Sequence, residues 1–315
     1  MDISTLNKLR KVAQFIDPQR KLRKSIRRLS TTWAYRNLDI LPVQRGNELI
    51  AQTIASGTPA SIGKIGASEL KVLNFYIAMR PGKPYPESIR EQVLVGPGVF
   101  PTTDEAIDAF CRTYLDAISQ LDILAPWYNP GEINFIRKFA SDAKLVELNA
   151  IEPYYSPSPW SRTLHGKKVL LITSFPKTAA SQYERRRDVW KASPQVLPDF
   201  DLDIIQAPSS PALAPPAHAS WQAALDDLKE QMTAVDYDVA LIGAGALALP
   251  LGAHARSQGK IGVHLGGAVQ ILFGIKGARW DNHPVISRLF NESWVRPNAE
   301  EVPKAAKIVE NGAYW

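Results

Sequence analysis

The chain has 315 residues, of which 45% are apolar and 22% charged, and a single cysteine, Cys111. That length can bury a sizeable core without staples, as one large α/β domain or two smaller ones. One cysteine excludes an internal disulfide and a cysteine-based zinc centre. The net charge of +6 is concentrated at one end: residues 1–30 hold nine Lys/Arg and two acids, and the remainder holds 28 basic and 29 acidic residues.

Within that basic stretch Ile3, Leu6, Val12, Phe15, Ile16, Leu22, Ile26 and Leu29 recur among the cations, and Pro18 divides it into two short helical stretches. A basic amphipathic segment suits an anionic membrane surface, a solvated tail, or a helix docked on the body. Nucleic acid is not expected, because interleaved aromatics are missing and the body carries no positive excess. No run approaches the ~18 apolar residues of a membrane span. The first residues lack a signal-peptide core. The expected location is the cytoplasm, peripheral on the inner face of the membrane if residues 1–30 bind it.

Domain boundaries follow that charge step: a segment 1–30 and an α/β body 31–315, with halves near 31–160 and 161–315. In chain order, residues 46–56 predict a helix and Ser61–Ile65 a short strand. The turn Gly66-Ala67-Ser68 follows, and Glu69 opens an apolar-periodic helix through Leu70, Leu73, Phe75 and Ile77. Residues 80–101, rich in Pro and Gly, read as loop. Thr102 or Thr103 caps a helix over 104–120, with Asp104 and Glu105 in its first turn and Cys111 on its buried face. Residues 121–150 alternate short strand and helix, Val146, Leu148 and Ala150 reading as a strand.

The second half is more regular. Lys168–Thr173 (KVLLIT) is a buried strand, followed by Ser174–Lys177 and a helix holding Gln182, Tyr183 and Arg185–Arg187. Strands at Asp203–Gln206, Asp238–Ile242 and Lys260–Leu265 surround a mobile loop at 207–217 and a helix at Trp221–Thr233. Strands alternating with helices at this spacing predict a Rossmann-like, doubly wound, mostly parallel sheet with helices on both faces.

The strand ending at Ile242 runs into Gly243-Ala244-Gly245-Ala246-Leu247-Ala248, a G-x-G-x-x-A turn. Glycines there let a ligand approach the backbone, and the following helix offers free N–H groups to phosphate or diphosphate; packing alone also explains them. A dinucleotide site wants an acid at the end of the next strand. That strand ends in His264-Leu265-Gly266-Gly267, without one, so a nicotinamide oxidoreductase is not expected. His264 can pack against the sheet or hydrogen-bond a phosphate or acceptor hydroxyl. Lys276 and Arg279 can neutralise a diphosphate, and Trp280 can stack on a base. Glu69 sits at a strand-to-helix turn, where it can ligate a divalent metal, act as general base, or simply favour the helix N-terminus. Lys64 is its local counter-ion. Of Arg185, Arg186 and Arg187, at most one or two can face one ligand.

Together these motifs resemble a signature of bacterial proteins encoded with surface-polysaccharide genes. The block LGGAVQILFGIKGARW (265–280) is its most specific part. The Ser174–Phe175 turn with Gln182 and Arg186, GAGALALPLG, and the ending NESWVRP…VENGAYW complete it. Such proteins are similar to the GT-D-fold glycosyltransferases, and the resemblance runs from about residue 45 to the end. It implies a transferase that moves a sugar from a nucleotide-sugar donor to a glycan or lipid-linked acceptor in O-antigen, lipopolysaccharide or capsule synthesis. In that family the first strand–turn–helix reads R-F-G-D-G-E, its D-x-E acids binding a divalent ion. The aligned residues are Lys64-Ile65-Gly66-Ala67-Ser68-Glu69. Glu69 carries over as metal ligand for Mn²⁺ or Mg²⁺ or as catalytic base, and Ala67 stands where the pattern has Asp.

The expected site therefore comprises Glu69 and His264 as catalytic residues. Lys64, Gly66, Ser68, Ser174, Gln182, Arg186, Gly243, Gly245, Gly266, Gly267, Gln270, Lys276, Arg279 and Trp280 are expected around the nucleotide diphosphate. A non-catalytic nucleotide- or anion-binding component of a polysaccharide assembly complex is the alternative, and Ala67 is its best support.

Overall fold

A computed structural model describes residues 34–79, 83–210, 212, 214–306 and 312–315. The basic segment 1–30, with its two helical stretches and its membrane-surface expectation, lies outside the described residues. Eight parallel strands form one sheet: β1 (Ile40–Leu41), β2 (Ala60–Gly63), β3 (Ile123–Leu124), β4 (Lys144–Val146), β5 (Lys168–Thr173), β6 (Asp201–Gln206), β7 (Val239–Gly243) and β8 (Ile261–His264). Their order is β1-β4-β3-β2-β8-β7-β5-β6. The two halves expected near residue 160 are the two ends of this sheet, joined where Ala60–Ile62 pairs with Ile261–Val263.

Strand composition explains the layering. Side chains alternate between faces with period two. Leu170, Ile172, Ala240 and Ile242 enter one core, and Val169, Leu171, Val239, Leu241 and Val263 enter the other. Both faces are apolar because helices cover both. The first core receives α4 (Asp104–Ser119) through Ile107, Phe110 and Tyr114. It also takes α8 (Trp221–Ala234) through Leu225 and Leu228, and α9 (Ala248–Ser257) through Leu249 and Leu251. The second receives α1 (Val43–Ser56) through Ile50 and Ile54, with Trp160, Trp190 and α10 (Ala268–Leu272).

Local chemistry holds in detail. Thr103 accepts the Ala106 N–H as the N-cap of α4, and Cys111 is fully buried on it. The helix opened near Glu69 is α2 (Ala67–Met79). Three expectations need correction. The stretch 80–101 contains α3 (Glu87–Val95), whose one fully buried side chain, Val93, leaves almost no periodic signal. The strand expected through Ala150 stops at Val146, and Leu148–Ala150 is a 3₁₀ turn. Its partner strand β1 ends at Leu41, and Pro42 has no N–H to continue the ladder. The helix after Ser174 breaks at Arg185 into α6 (Pro176–Glu184) and α7 (Arg186–Val189). A further helix, α5 (Glu132–Phe139), separates β3 from β4.

Candidate functional site

Open parallel sheets bind ligands beyond the carboxyl ends of their strands. Here a cleft of about 930 Å³ lies there, lined from the segments after β4, β3, β2, β8, β7, β5 and β6, seven consecutive strands of the sheet. Their contributions include Glu152 with Tyr154, Trp127, Lys64 with Gly66–Glu69, His264 with Gly266–Gln270, Gly243–Leu247, Thr173–Phe175, and Pro208–Ser210.

The two glycine turns touch. The Leu265 and Gly266 N–H groups both donate to the Ile242 carbonyl, at 3.0 and 3.1 Å. A Cβ on Gly243 would lie 3.1 Å from the Gly266 carbonyl oxygen. Gly245 and Gly266 have φ of +54° and +59°, a region other residues enter at a cost. Nothing lies within 4 Å of where a Gly245 Cβ would point, so backbone there is open to a ligand. The helix after Gly267 is only Ala268–Leu272. Anion attraction at this end of the cleft therefore rests mainly on side chains.

The main such side chain is Lys64. It is buried, and its Nζ lies 3.9 Å from Glu152 Oε1 and 5.1 Å from the Trp127 ring centroid. Burial lowers its pKa, Glu152 pulls upward, and Arg279 pushes downward. Lys64 thus pairs with Glu152 rather than Glu69. Arg279 stacks on Tyr314 and Trp280, at 5.0 and 5.4 Å from the ring centroids. Its N–H donates to Ala313 O at 3.1 Å. Gln270 Nε2 donates to Tyr314 O at 2.8 Å. Tyr314 and Trp315 therefore form part of the wall beside the second glycine turn.

His264 is buried, and its pKa is lowered to about 3, first by desolvation, then by the Lys64 charge, with a Lys64 backbone bond opposing. That shift favours the neutral imidazole, a hydrogen-bonding group, over the imidazolium. His264 Nδ1 and Gln270 Oε1, both on the cleft walls, have no hydrogen-bond partner among the described residues. Buried polar atoms are usually paired; both atoms are themselves inaccessible, so neither presents itself to the cleft in this conformation. A stability consequence follows from the His264 pKa. Its folded value lies below the unfolded value of about 6.5, so the unfolded chain binds more protons between those values. Stability should fall as pH drops from about 6.5 toward 3. Urea midpoints measured across that range should fall less steeply in His264→Gln than in wild type; equal slopes would contradict it.

Glu69 is buried in the first turn of α2, and the Ser68 hydroxyl donates to its Oε2 at 2.9 Å. The carboxylate folds over Gly66: a Cβ there would lie 1.9 Å from Oε2. Glu69 is the lone carboxylate of the turn Gly66–Glu69. Among the described residues no group of three or more His, Cys, Asp or Glu side chains could hold a metal. Glu152, also on the cleft wall, is engaged by Lys64 and by the Tyr154 hydroxyl at 2.6 Å. These donors do not fit a divalent-ion cage, which needs several free oxygens.

Of the expected residues, the cleft gathers Lys64, Gly66, Ser68, Glu69, Ser174, Gly243, Gly245, His264, Gly266, Gly267, Gln270, Arg279 and Trp280. Three expectations are corrected, because their residues are absent from its lining. Gln182 is fully buried and donates to Gly274 O and Ser293 O, at 3.1 and 2.9 Å, tying α6 to the C-terminal segment. Arg186 binds Asp199, an acceptor it shares with Arg187, and stacks on Tyr183. Lys276 lies over the Phe290 ring at 5.5 Å, and its N–H donates to Val295 O at 2.7 Å.

Trp127, Glu152, Tyr154, Tyr314 and Trp315 line the cleft without having been expected there. The ending GAYW stood in the family-like pattern, which was the available signal for the last two. Trp127, Glu152 and Tyr154 follow strand ends with no glycine turn to mark them. Among the described residues no helix is long and apolar enough to cross a membrane. Comparison of the chain with protein-family models, with curated proteins and with solved structures finds no match to any of them.

Proposed function

We propose that the cleft binds a nucleotide-activated sugar and that the protein transfers the sugar to a hydroxyl of a glycan or lipid-linked acceptor of a bacterial surface polysaccharide. The observation that carries this is the buried Lys64 ammonium, which lies beside Gly266 of the second glycine turn and whose carboxylate partner among the described residues, Glu152, is 3.9 Å away. A desolvated cation so weakly neutralised favours an anion beside it. Arg279 adds a second positive charge, and the Trp280 and Tyr314 rings give a nucleobase a flat, apolar wall.

In the proposed reaction the acceptor oxygen bonds to the anomeric carbon, the anomeric carbon–phosphate oxygen bond breaks, and the nucleoside diphosphate leaves with the bonding electron pair. Glu69 takes the hydroxyl proton. Lys64 and Arg279 stabilise charge gathering on the leaving diphosphate, a task that falls to them because the carboxylates present do not make a metal cage. His264, neutral, donates or accepts one hydrogen bond.

Calorimetric titration with UDP-, GDP- and dTDP-sugars, each with and without EDTA, tests this together with nucleotide release in the presence of acceptor. Binding should survive EDTA. Lys64→Met should weaken it about 10- to 100-fold, the worth of a charge-assisted hydrogen bond, without lowering the thermal midpoint, because a buried ammonium is costly. Affinity should also decline with rising pH as Lys64, whose pKa is lowered, loses its proton. No binding of any nucleotide sugar would sink the proposal. Binding without turnover would select the second reading, a non-catalytic anion-binding component, which the lone carboxylate of the Glu69 turn favours.

A further inference from the structure

The segment after β3 presents an exposed tryptophan on a constrained loop. Tyr128 has φ +56°, a left-handed conformation that a non-glycine residue adopts only when its surroundings impose it. What imposes it is Glu132, which is fully buried at the start of α5. Its carboxylate accepts the Trp127 N–H at 3.0 and 3.1 Å, the Asn129 N–H at 2.8 Å and the Tyr35 hydroxyl at 3.3 Å. The Tyr35 and Tyr128 rings meet edge-on at 4.8 Å. The backbone of residues 127–129 is thus tied down, while the Trp127 side chain remains 43% exposed at the cleft wall.

Packing does not account for that exposure. A loop needing only to turn would take glycine at 128 and a polar residue at 127. The ring instead lies with its centroid 5.1 Å from Lys64 Nζ, the group read as the phosphate anchor. A pyranose attached to that phosphate falls within reach of the indole, and the C–H face of a sugar is the apolar surface an indole stacks on. We infer that Trp127, held by the Glu132 clamp, is the stacking platform for the sugar ring of the donor and sets sugar affinity apart from nucleotide affinity.

This rests on the nucleotide-sugar reading of the cleft, and the test separates the two. Full-length wild type, Trp127→Ala and Trp127→Phe are titrated with UDP-glucose, GDP-mannose and dTDP-glucose, and with UDP, GDP and dTDP. For whichever pair binds wild type, Trp127→Ala should lose about tenfold in affinity for the nucleotide sugar. Its affinity for the free diphosphate should stay within about twofold, and Trp127→Phe should recover most of the loss. Equal losses for both ligands, or no loss for either, would overturn the platform and leave the cleft reading intact. A wild type that binds neither ligand of any pair would overturn both. Unchanged thermal midpoints in both variants confirm that folding is not the cause.

Discussion

Glu69→Gln should lower kcat for sugar transfer about 10²- to 10⁴-fold, the usual worth of a positioned general base, while leaving the affinity for the nucleoside diphosphate nearly unchanged. The amide keeps the shape of the carboxylate and its acceptor oxygen for the Ser68 hydroxyl, so the start of α2 should hold. What it loses is the capacity to take a proton. Gly66→Ala provides an independent approach to the same group. Its Cβ would overlap Glu69 Oε2, the far end of a flexible side chain, so the carboxylate must swing aside while the backbone stays. Both variants should show the same pattern in single-turnover assays: lost kcat with retained binding. Turnover near the wild-type rate in Glu69→Gln would make Glu69 a structural residue that favours the helix N-terminus.

The largest effect on stability is expected at Gly262, in the middle of β8. A Cβ there would lie 2.6 Å from the Cα of Gly252 and 2.7 Å from its carbonyl oxygen. Both are backbone atoms of α9, so no side chain can give way. The helix must lift from the sheet, and it carries Leu249 and Leu251 out of the core. Overpacking usually costs about 1–3 kcal/mol; a backbone-on-backbone clash puts Gly262→Ala at the top of that range or beyond it. Gly252→Ala is the control. Its Cβ would meet the Ser61 hydroxyl at 3.3 Å and the Gly262 carbonyl oxygen at an ordinary 3.9 Å, and should cost under about 1.5 kcal/mol. Urea unfolding of the pair measures the difference. Equal destabilisation would mean that the helix can shift on the sheet. Because α9 follows the Gly243–Leu247 turn directly, a surviving Gly262→Ala protein should also bind the nucleotide sugar more weakly.

What the amino-acid sequence determines here is local. Apolar runs such as KVLLIT and DVALI are strands in any context that buries both their faces. Glycines at strand ends become tight turns, and Thr103 caps the helix that follows it. From these come a parallel α/β fold and two glycine turns. Where the local signal is weak, as over α3, or equally served by another turn, as at Leu148–Ala150, the element is misread. The site itself was decided by strand order. The sheet sets β3, β2, β8, β7 and β5 side by side, so Trp127, Lys64, His264, Gly245 and Ser174 converge from across the chain. The same order places Gln182, Arg186 and Lys276 against other partners, where they hold the C-terminal segment and the surface together. No spacing along the chain encodes which strands become neighbours. Only the folded sheet left Lys64 buried, weakly paired and beside the second glycine turn, which is the physical reason to look for an anion there.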